Sequence, residues 1–185
     1  IMGASMSWLV CAANHFDSLK ELLGATDITK GSEVSLCVTV TPGENLFIFE
    51  AREREWTFDR DDERKRLSIG REVFFCMLEE HVMASEVAYW KDGVEIWRVA
   101  HDSEEGVYHL DVRGTLPPSF ETLKQARFDE QNREGGEDCG VDLIISVPMD
   151  LAAEFTGYDG GIEQPNGDYS EWACPRPSKF KKGTK

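Results

Sequence analysis

One turn in the middle of the chain constrains the fold more than any other feature. Asp92-Gly93 lies between two runs that are rich in aromatic and β-branched residues. This dipeptide favours a two-residue hairpin turn because both positions tolerate a positive φ, and the flanking runs have the composition of strands. A second turn at 103–106 leads into the apolar run 107–112. The sequence therefore predicts a three-stranded antiparallel meander over residues 84–113.

Other segments also have strand patterns. Apolar and polar side chains alternate over 34–40, as in a strand with one buried face. Residues 69–78 are apolar on both faces, which fits a central strand or a buried helix, and the Val and Phe content favours the strand. The strands predicted outside the meander are 8–13, 34–40, 46–49, 69–78 and 141–147.

Three helices are predicted, which makes the fold class α+β with a mostly antiparallel sheet. Ser18 and Glu21 have the spacing of a capping box, and Gly24 is a suitable stop for the helix that they would begin. Prolines favour the first turn of a helix, and Pro117-Pro118 begins the second one. The first helix is predicted to follow the strand that ends at Ala13 and to stop at Gly24, the second to run from Pro117-Pro118 to about Asn132, and the third to span 148–156.

The domain organisation follows from where patterned segments stop. Residues 1–158 are predicted to form a single α+β domain, with Met6 as the natural start and residues 1–5 as an addition to it. Residues 159–185 are rich in Gly, Asn, Pro and Asp and are predicted to form an irregular tail that Trp172 docks, with a basic end. The stretch 52–66 holds six basic and six acidic residues and is predicted to be mostly solvated.

The charge of the chain excludes several functions. It has 35 acidic against 20 basic residues and a formal net charge of −15. Binding to nucleic acid or to an anionic membrane depends on cationic contacts with phosphates, so neither partner is expected. The five cysteines are widely spaced and contain no CxxC pair, which favours buried free thiols in a reducing cytoplasm over disulfides or structural zinc.

One group of residues could carry catalysis. Histidines and carboxylates recur near the meander and could form a general acid–base pair or a metal site. In the register set by the two turns, His101 lies opposite Tyr108 on the core face, whereas His109 lies opposite Ala100 on the other face. The alternative is a buried His101 bonded to backbone and a cross-strand ion pair of Arg98. The candidate residues are His81, His101, Asp102, His109 and Asp111.

No sequence motif supports a particular reaction. The chain has no G-x-S-x-G elbow, no phosphate-binding glycine loop and no HExxH pair. No metal and no cofactor are therefore expected.

Acidic residues cluster in two segments of the second half of the chain. Such a cluster is either a solubilising surface or a docking surface for a basic protein, because complementary fields accelerate association. The candidate partner-binding residues are Glu104, Glu105, Asp129, Glu130, Glu134, Glu137 and Asp138.

A block over residues 79–157 resembles a group of small bacterial proteins to which no activity is assigned. The resemblance lies in Glu79-Glu80-His81-Val82-Met83-Ala84-Ser85, Asp92-Gly93 with Trp97, His101-Asp102, Gly114 with Pro117, and Val141-Asp142 leading to Val147-Pro148. In size, acidity and lack of a catalytic motif the chain is also similar, in type only, to bacterial toxin-immunity proteins.

Three functions follow as hypotheses. The first is an acidic cytoplasmic protein-binding module, most concretely an immunity-type inhibitor that covers a basic toxin domain. The second is a small enzyme that uses the His/carboxylate group, with or without a metal. The third is a structural or regulatory homo-oligomer that associates through an exposed sheet edge.

Overall fold

The computed structural model describes residues 4–28, 33–51, 57–161 and 163–175. This part of the chain contains nine strands and four α-helices. The strands are β1 (Ser5–Ala12), β2 (Thr26–Asp27), β3 (Leu36–Val40), β4 (Asn45–Glu50), β5 (Glu72–Glu79), β6 (Ala84–Lys91), β7 (Val94–Asp102), β8 (Asp111–Gly114) and β9 (Asp168–Ala173). The helices are α1 (Phe16–Leu22), α2 (Asp61–Ser68), α3 (Phe120–Arg133) and α4 (Ser146–Thr156). None of these helices is both long and apolar enough to cross a membrane.

All nine strands belong to one sheet in the order β2-β9-β3-β4-β1-β5-β6-β7-β8. Each neighbouring pair is antiparallel, which confirms the α+β class with an antiparallel sheet. The hairpin turn is confirmed, since Asp92 and Gly93 both have positive φ. The meander has four strands rather than three, because a turn at 80–83 also joins β5 to β6.

The predicted register between the last two meander strands is wrong by two residues. Ala100 pairs with Asp111 rather than with His109. A 3-10 turn at Ser103–Glu105 and the loop that follows it occupy more chain than a tight turn, so pairing resumes only at Asp111. Because a shift of two keeps every side chain on its face, the buried position predicted for His101 is still correct.

Helices cover both faces of the sheet, so the molecule has two cores in three layers. Alternate residues of β1 divide between them, as the period of two in a strand requires. Trp8 and Val10 pack in the core under α3 and α4. Leu9 and Cys11 pack in the core under α1 and α2.

The charged stretch 52–66 is not simply solvated, because its second half forms a fourth helix that the prediction omitted. Residues 61–68 form α2, in which Arg64 and Leu67 are buried. Arg64 donates from Nε to the carbonyl oxygen of Phe58 at 2.6 Å and pairs through Nη2 with Glu86 on β6. A charged side chain is therefore part of this core. Trp56, an aromatic residue of the same stretch, lies outside the described residues.

The strand predicted at 141–147 is also wrong. An Asx turn occupies its middle, where Asp142 Oδ1 accepts hydrogen bonds from the backbone N–H of Ile144 and Ile145 at 3.0 and 3.3 Å. Ile144, Ile145 and Val147 are buried by the turn and by the first residues of α4, whereas Val141 is exposed, so the apolar run reflects helix packing rather than a strand. The predicted capping box is absent as well, since Ser18 donates to the carbonyl oxygen of His15.

The region 159–185, expected to be irregular, contributes β9 to the interior of the sheet. β9 lies between β2 and β3, and Trp172 pairs with Leu36. Trp172 is fully buried, and its ring meets Phe16 edge to face at 5.1 Å. The tail prediction failed because a single tryptophan in a polar segment gives little sign that a strand will pair. The basic end at 176–185 lies outside the described residues.

Candidate functional site

His101 is held by hydrogen bonds at both ring nitrogens. Nδ1 lies 2.8 Å from the carbonyl oxygen of His109, and Nε2 lies 2.8 Å from Asp142 Oδ2. A carbonyl oxygen only accepts, so Nδ1 carries a hydrogen, and a further hydrogen lies between Nε2 and the carboxylate. With its ring fully buried, His101 has no nitrogen left to exchange a proton with a substrate.

Ser85, His101 and Asp142 resemble a serine–histidine–aspartate set, but their hydrogen bonds serve the fold. Ser85 pairs with His101 across β6 and β7 and donates to the carbonyl oxygen of Ile145 at 2.7 Å. Ser85 and His101 therefore both bind the 142–145 turn to the sheet, and Asp142 uses its second oxygen to close that turn. The three side chains fix the start of α4.

The other meander candidates do not form one site. His109 Nδ1 accepts a hydrogen bond from the backbone N–H of Asp102 at 3.2 Å, and its ring centroid lies 6.4 Å from that of His101. Asp111 pairs with Arg113 on the same edge strand. The ion pair expected between Arg98 and Asp111 is therefore wrong.

Arg98 instead pairs across to other elements. Its partners are Asp61 at the start of α2, Glu95 on its own strand and Glu86 on β6. These charges form a network between α2 and the sheet and leave Asp111 outside it.

His81 is arranged differently from the other histidines. It is exposed at the turn between β5 and β6, and its Nδ1 lies 2.5 Å from Glu79 Oε1. Burial alone would raise the pKa of Glu79, but hydrogen bonds from Ser5 and His81 bring it below its usual value. Because this contact occupies Nδ1, Nε2 is the nitrogen of His81 that remains for other contacts.

His81 lines a groove of about 710 Å³ between that turn and the helices α3 and α4. The groove has four carboxylates against one guanidinium, Arg127. Asp150 binds Arg127 through both oxygens, at 2.6 and 2.8 Å, and Asp142 is held by His101. The charged lining residues are Glu80, His81, Arg127, Asp142, Asp150 and Asp159.

The predicted acidic residues form a surface beside this groove. Tyr108 donates to Asn132 Oδ1, and its ring meets Phe128 edge to face at 5.2 Å, so the loop after Glu105 is fixed against α3. Arg127 joins the two regions, since it contacts Glu130 as well as Asp150. We call the exposed residues of this region the acidic surface: Glu104, Glu105, Asp129, Glu134, Glu137 and Asp138.

The carboxylates of the acidic surface are not paired with cations. None of its six members forms an ion pair within the part of the chain that the structure describes. Glu130, the seventh predicted residue, is the exception because Arg127 binds it at 2.9 Å. Arg133 lies among these residues but donates to the carbonyl oxygen of Asp129 at 3.3 Å, so six carboxylates share this surface with one nearby unpaired guanidinium and its net charge is negative.

The carboxylates of the groove could not be recognised as a group from the sequence. Asp142 lies in a segment predicted as a strand beside the acidic cluster, and Asp150 and Asp159 belong to no motif. No local pattern identifies them, because they meet only through the packing of α4 and the 159–161 loop on the sheet. Glu80 was the one groove carboxylate with a signal, its position beside His81.

Metal binding and catalysis by a cysteine nucleophile find little support in the described residues. No group of three or more His, Cys, Asp or Glu side chains there is arranged to hold a metal ion. No disulfide joins any of the five cysteines, which all lie in the described residues, and burial raises the pKa of the Cys11 thiol to about 12 and also raises that of Cys76. A thiol with such a raised pKa is a poor nucleophile.

Comparisons with protein-family models, curated proteins and solved structures find no match to this chain.

Proposed function

We propose that this chain is an acidic protein-binding module whose partner presents a basic surface. The observation that carries the proposal is the groove with four carboxylates and one guanidinium, placed beside the acidic surface. A concave site takes a projecting side chain better than a flat one, and fully desolvated Arg contacts are among the strongest in interfaces. The groove suits such a side chain, and the acidic surface suits the basic residues around it.

The most concrete form of the proposal is an immunity-type inhibitor. Enzymes that act on nucleic acids carry basic active-site surfaces, and an acidic protein that covers such a surface blocks access of the substrate. Electrostatic attraction raises association rates, which suits an inhibitor that must act before its target does. The size and charge of the chain support this reading.

Charge reversal with a matched control tests the binding proposal. The surface variant carries Glu134→Lys, Glu137→Lys and Asp138→Lys, and the control variant carries Asp17→Lys, Glu21→Lys and Glu44→Lys. All six residues are exposed, and the two variants have the same net charge. We expect the native chain and the control variant to capture the same basic protein from a host lysate, and the surface variant to lose it.

Two outcomes would count against this proposal. Equal losses in both variants would show that the contact depends on net charge rather than on the acidic surface. Capture of acidic or neutral proteins alone would remove the basic partner. If the captured protein is a toxin, co-expression with the native chain should restore growth, whereas co-expression with the surface variant should not.

One observation favours an enzyme as a second candidate. Glu79 holds His81 by Nδ1 at the wall of the groove, the arrangement in which a carboxylate orients a histidine base. His81→Gln would abolish a hydrolytic or proton-transfer activity while leaving capture of a basic protein intact. The two functions are therefore separable with one variant.

A further inference from the structure

A second cleft lies at the opposite end of the sheet from the groove. It has a volume of about 460 Å³, within the usual range for sites that bind small molecules. The end of β1, the starts of β4 and β5, and the end of α4 form its walls, whereas the groove lies where β5 ends and α4 begins. The cleft is therefore independent of the function proposed above.

One residue that lines this cleft, Arg71, carries a guanidinium that forms no ion pair with a carboxylate among the described residues. Arg71 donates from Nη1 to the carbonyl oxygen of Leu67 at 2.8 Å and from Nη2 to Ser18 Oγ at 3.5 Å. Its Nε is buried and has no hydrogen-bond partner in the structure. Arg71 forms no ion pair among the described residues, although acidic residues outnumber basic ones in the whole chain.

The other charged groups of the cleft do not neutralise Arg71. Lys91 binds Glu72 at 2.6 Å, so these two charges compensate each other. Asp92 is exposed in the hairpin turn and forms no ion pair within the described ranges. Arg71 is therefore a guanidinium without a counter-charge at the wall of a cleft, which favours the binding of an anion there.

The charge of Arg71 affects the pKa of His15. His15 lines the same cleft, and both its partial burial and the nearby guanidinium lower the pKa of its ring. A ligand that neutralised Arg71 would raise this pKa again. His15 is thus a natural probe of anything that binds the guanidinium.

Another part of the cleft is aromatic. Phe74 and Phe155 both line the cleft, and their rings stack with centroids 5.5 Å apart. Phe155 remains 41% exposed, so part of its ring is accessible to a ligand. This wall provides an apolar contact for a ligand whose charged end binds Arg71.

We infer that this cleft binds a small carboxylate that carries an aromatic or other flat apolar group. The guanidinium of Arg71 pairs with the carboxylate, and the rings of Phe74 and Phe155 contact the apolar group. The carboxylate is chosen because a guanidinium fork matches its two oxygens.

Three small probes separate the two parts of this inference. Benzoate has both the carboxylate and the ring, acetate lacks the ring, and benzyl alcohol lacks the charge. The readouts are the ¹H–¹⁵N signal of Arg71 Nε and the pH titration of His15, both followed by NMR. We expect benzoate to shift the Arg71 signal, to raise the pKa of His15, and to bind about tenfold more tightly than either other probe.

Matched variants complete the experiment. Arg71→Gln should abolish benzoate binding, whereas Arg113→Gln, an exposed arginine on β8 outside the cleft, should not change it. If Arg71→Gln does not fold, Phe155→Ala tests the same site from its exposed wall and should reduce benzoate affinity to that of acetate. Equal binding of the three probes, or benzoate binding that survives these substitutions, would overturn the inference.

Discussion

At the scale of single residues, hydrogen bonds decide which histidine could act chemically. His101 shares a hydrogen with Asp142 and donates another to a backbone carbonyl, so it acts as a clamp. His81 has one nitrogen held by Glu79 and lies at the groove. Both histidines were candidates from the sequence, but their roles could not be separated there, because Asp142 lies 41 residues beyond His101.

The hydrogen bond between His101 and Asp142 leads to a prediction about stability. Asp142→Asn keeps the shape of the side chain but removes the charge that faces His101, and it places an amide where a second acceptor is needed. We expect a loss of about 2 kcal/mol in the free energy of unfolding, since a partly buried pair is broken. Urea unfolding followed by tryptophan fluorescence measures it. A loss below about 0.5 kcal/mol, the range of neutral surface substitutions, would show that the pair does not support the fold.

Glu50 makes a second prediction, which concerns pH. Its buried carboxylate accepts hydrogen bonds from the backbone N–H of Thr57 and Phe58 at 2.8 and 3.2 Å, yet burial dominates and raises its pKa. The folded state therefore holds this proton more tightly than the unfolded state, so the contribution of Glu50 to stability falls as the pH rises from about 4.5 through the raised pKa.

The comparison with Glu50→Gln isolates that contribution. The variant cannot ionise, so its deficit in the free energy of unfolding should be larger at pH 4 than at pH 7. Unfolding curves of both proteins at the two pH values provide the measurement. A deficit that is constant across this range, or that grows with pH, would contradict the raised pKa.

At the scale of elements, local chemistry was predictable and remote partners were not. The Asp92-Gly93 hairpin followed from two residues, because the turn requires the positive φ that they adopt. Helix α2 also has a local sequence signal. Its charges complement the helix dipole, with Asp61, Asp62 and Glu63 in the first turn and Lys65 and Arg66 in the last. β9 had no comparable signal, because its pairing depends on β3, which lies far away in the sequence.

Helix α2 also shows why a count of charged residues could not separate surface residues from core residues. Arg64 is 1% exposed, whereas Arg66, two residues later, is 39% exposed and pairs with Glu63 on its own helix. Helical geometry turns one towards β6 and the other towards solvent. In the sequence, both arginines appear only as members of a segment whose six positive and six negative charges sum to zero.

These two arginines form a matched pair of substitutions. Arg64→Ala should cost about 3–5 kcal/mol in the free energy of unfolding, because it leaves the Phe58 carbonyl without its partner and removes the nearer of the two arginines that pair with the partly buried Glu86 carboxylate. Arg66→Ala should cost less than about 1 kcal/mol, since its ion pair is solvated. Thermal or urea unfolding distinguishes them. Similar losses for the two variants would mean that α2 does not pack as described.

At the scale of the whole molecule, the distribution of charge matters more than its total. The net charge of −15 is a property of the whole chain, whereas the structure shows which carboxylates are left without an ion pair. Ion pairs tie α2 to the sheet and join α3 to α4, whereas the members of the acidic surface have none among the described residues. The general position of this surface was predictable from clustered acids, whereas the groove beside it was not, because it depends on tertiary packing.

The rate of association with the captured basic protein tests the central claim most directly. Stopped-flow mixing at low and high salt should show fast, strongly salt-dependent association for the native chain and for the Asp17, Glu21 and Glu44 control variant. Reversal at Glu134, Glu137 and Asp138 should lower the rate constant by about tenfold at low salt and flatten its dependence on salt. Equal rate constants for the two variants at every salt concentration would contradict the claim that the acidic surface is the docking site.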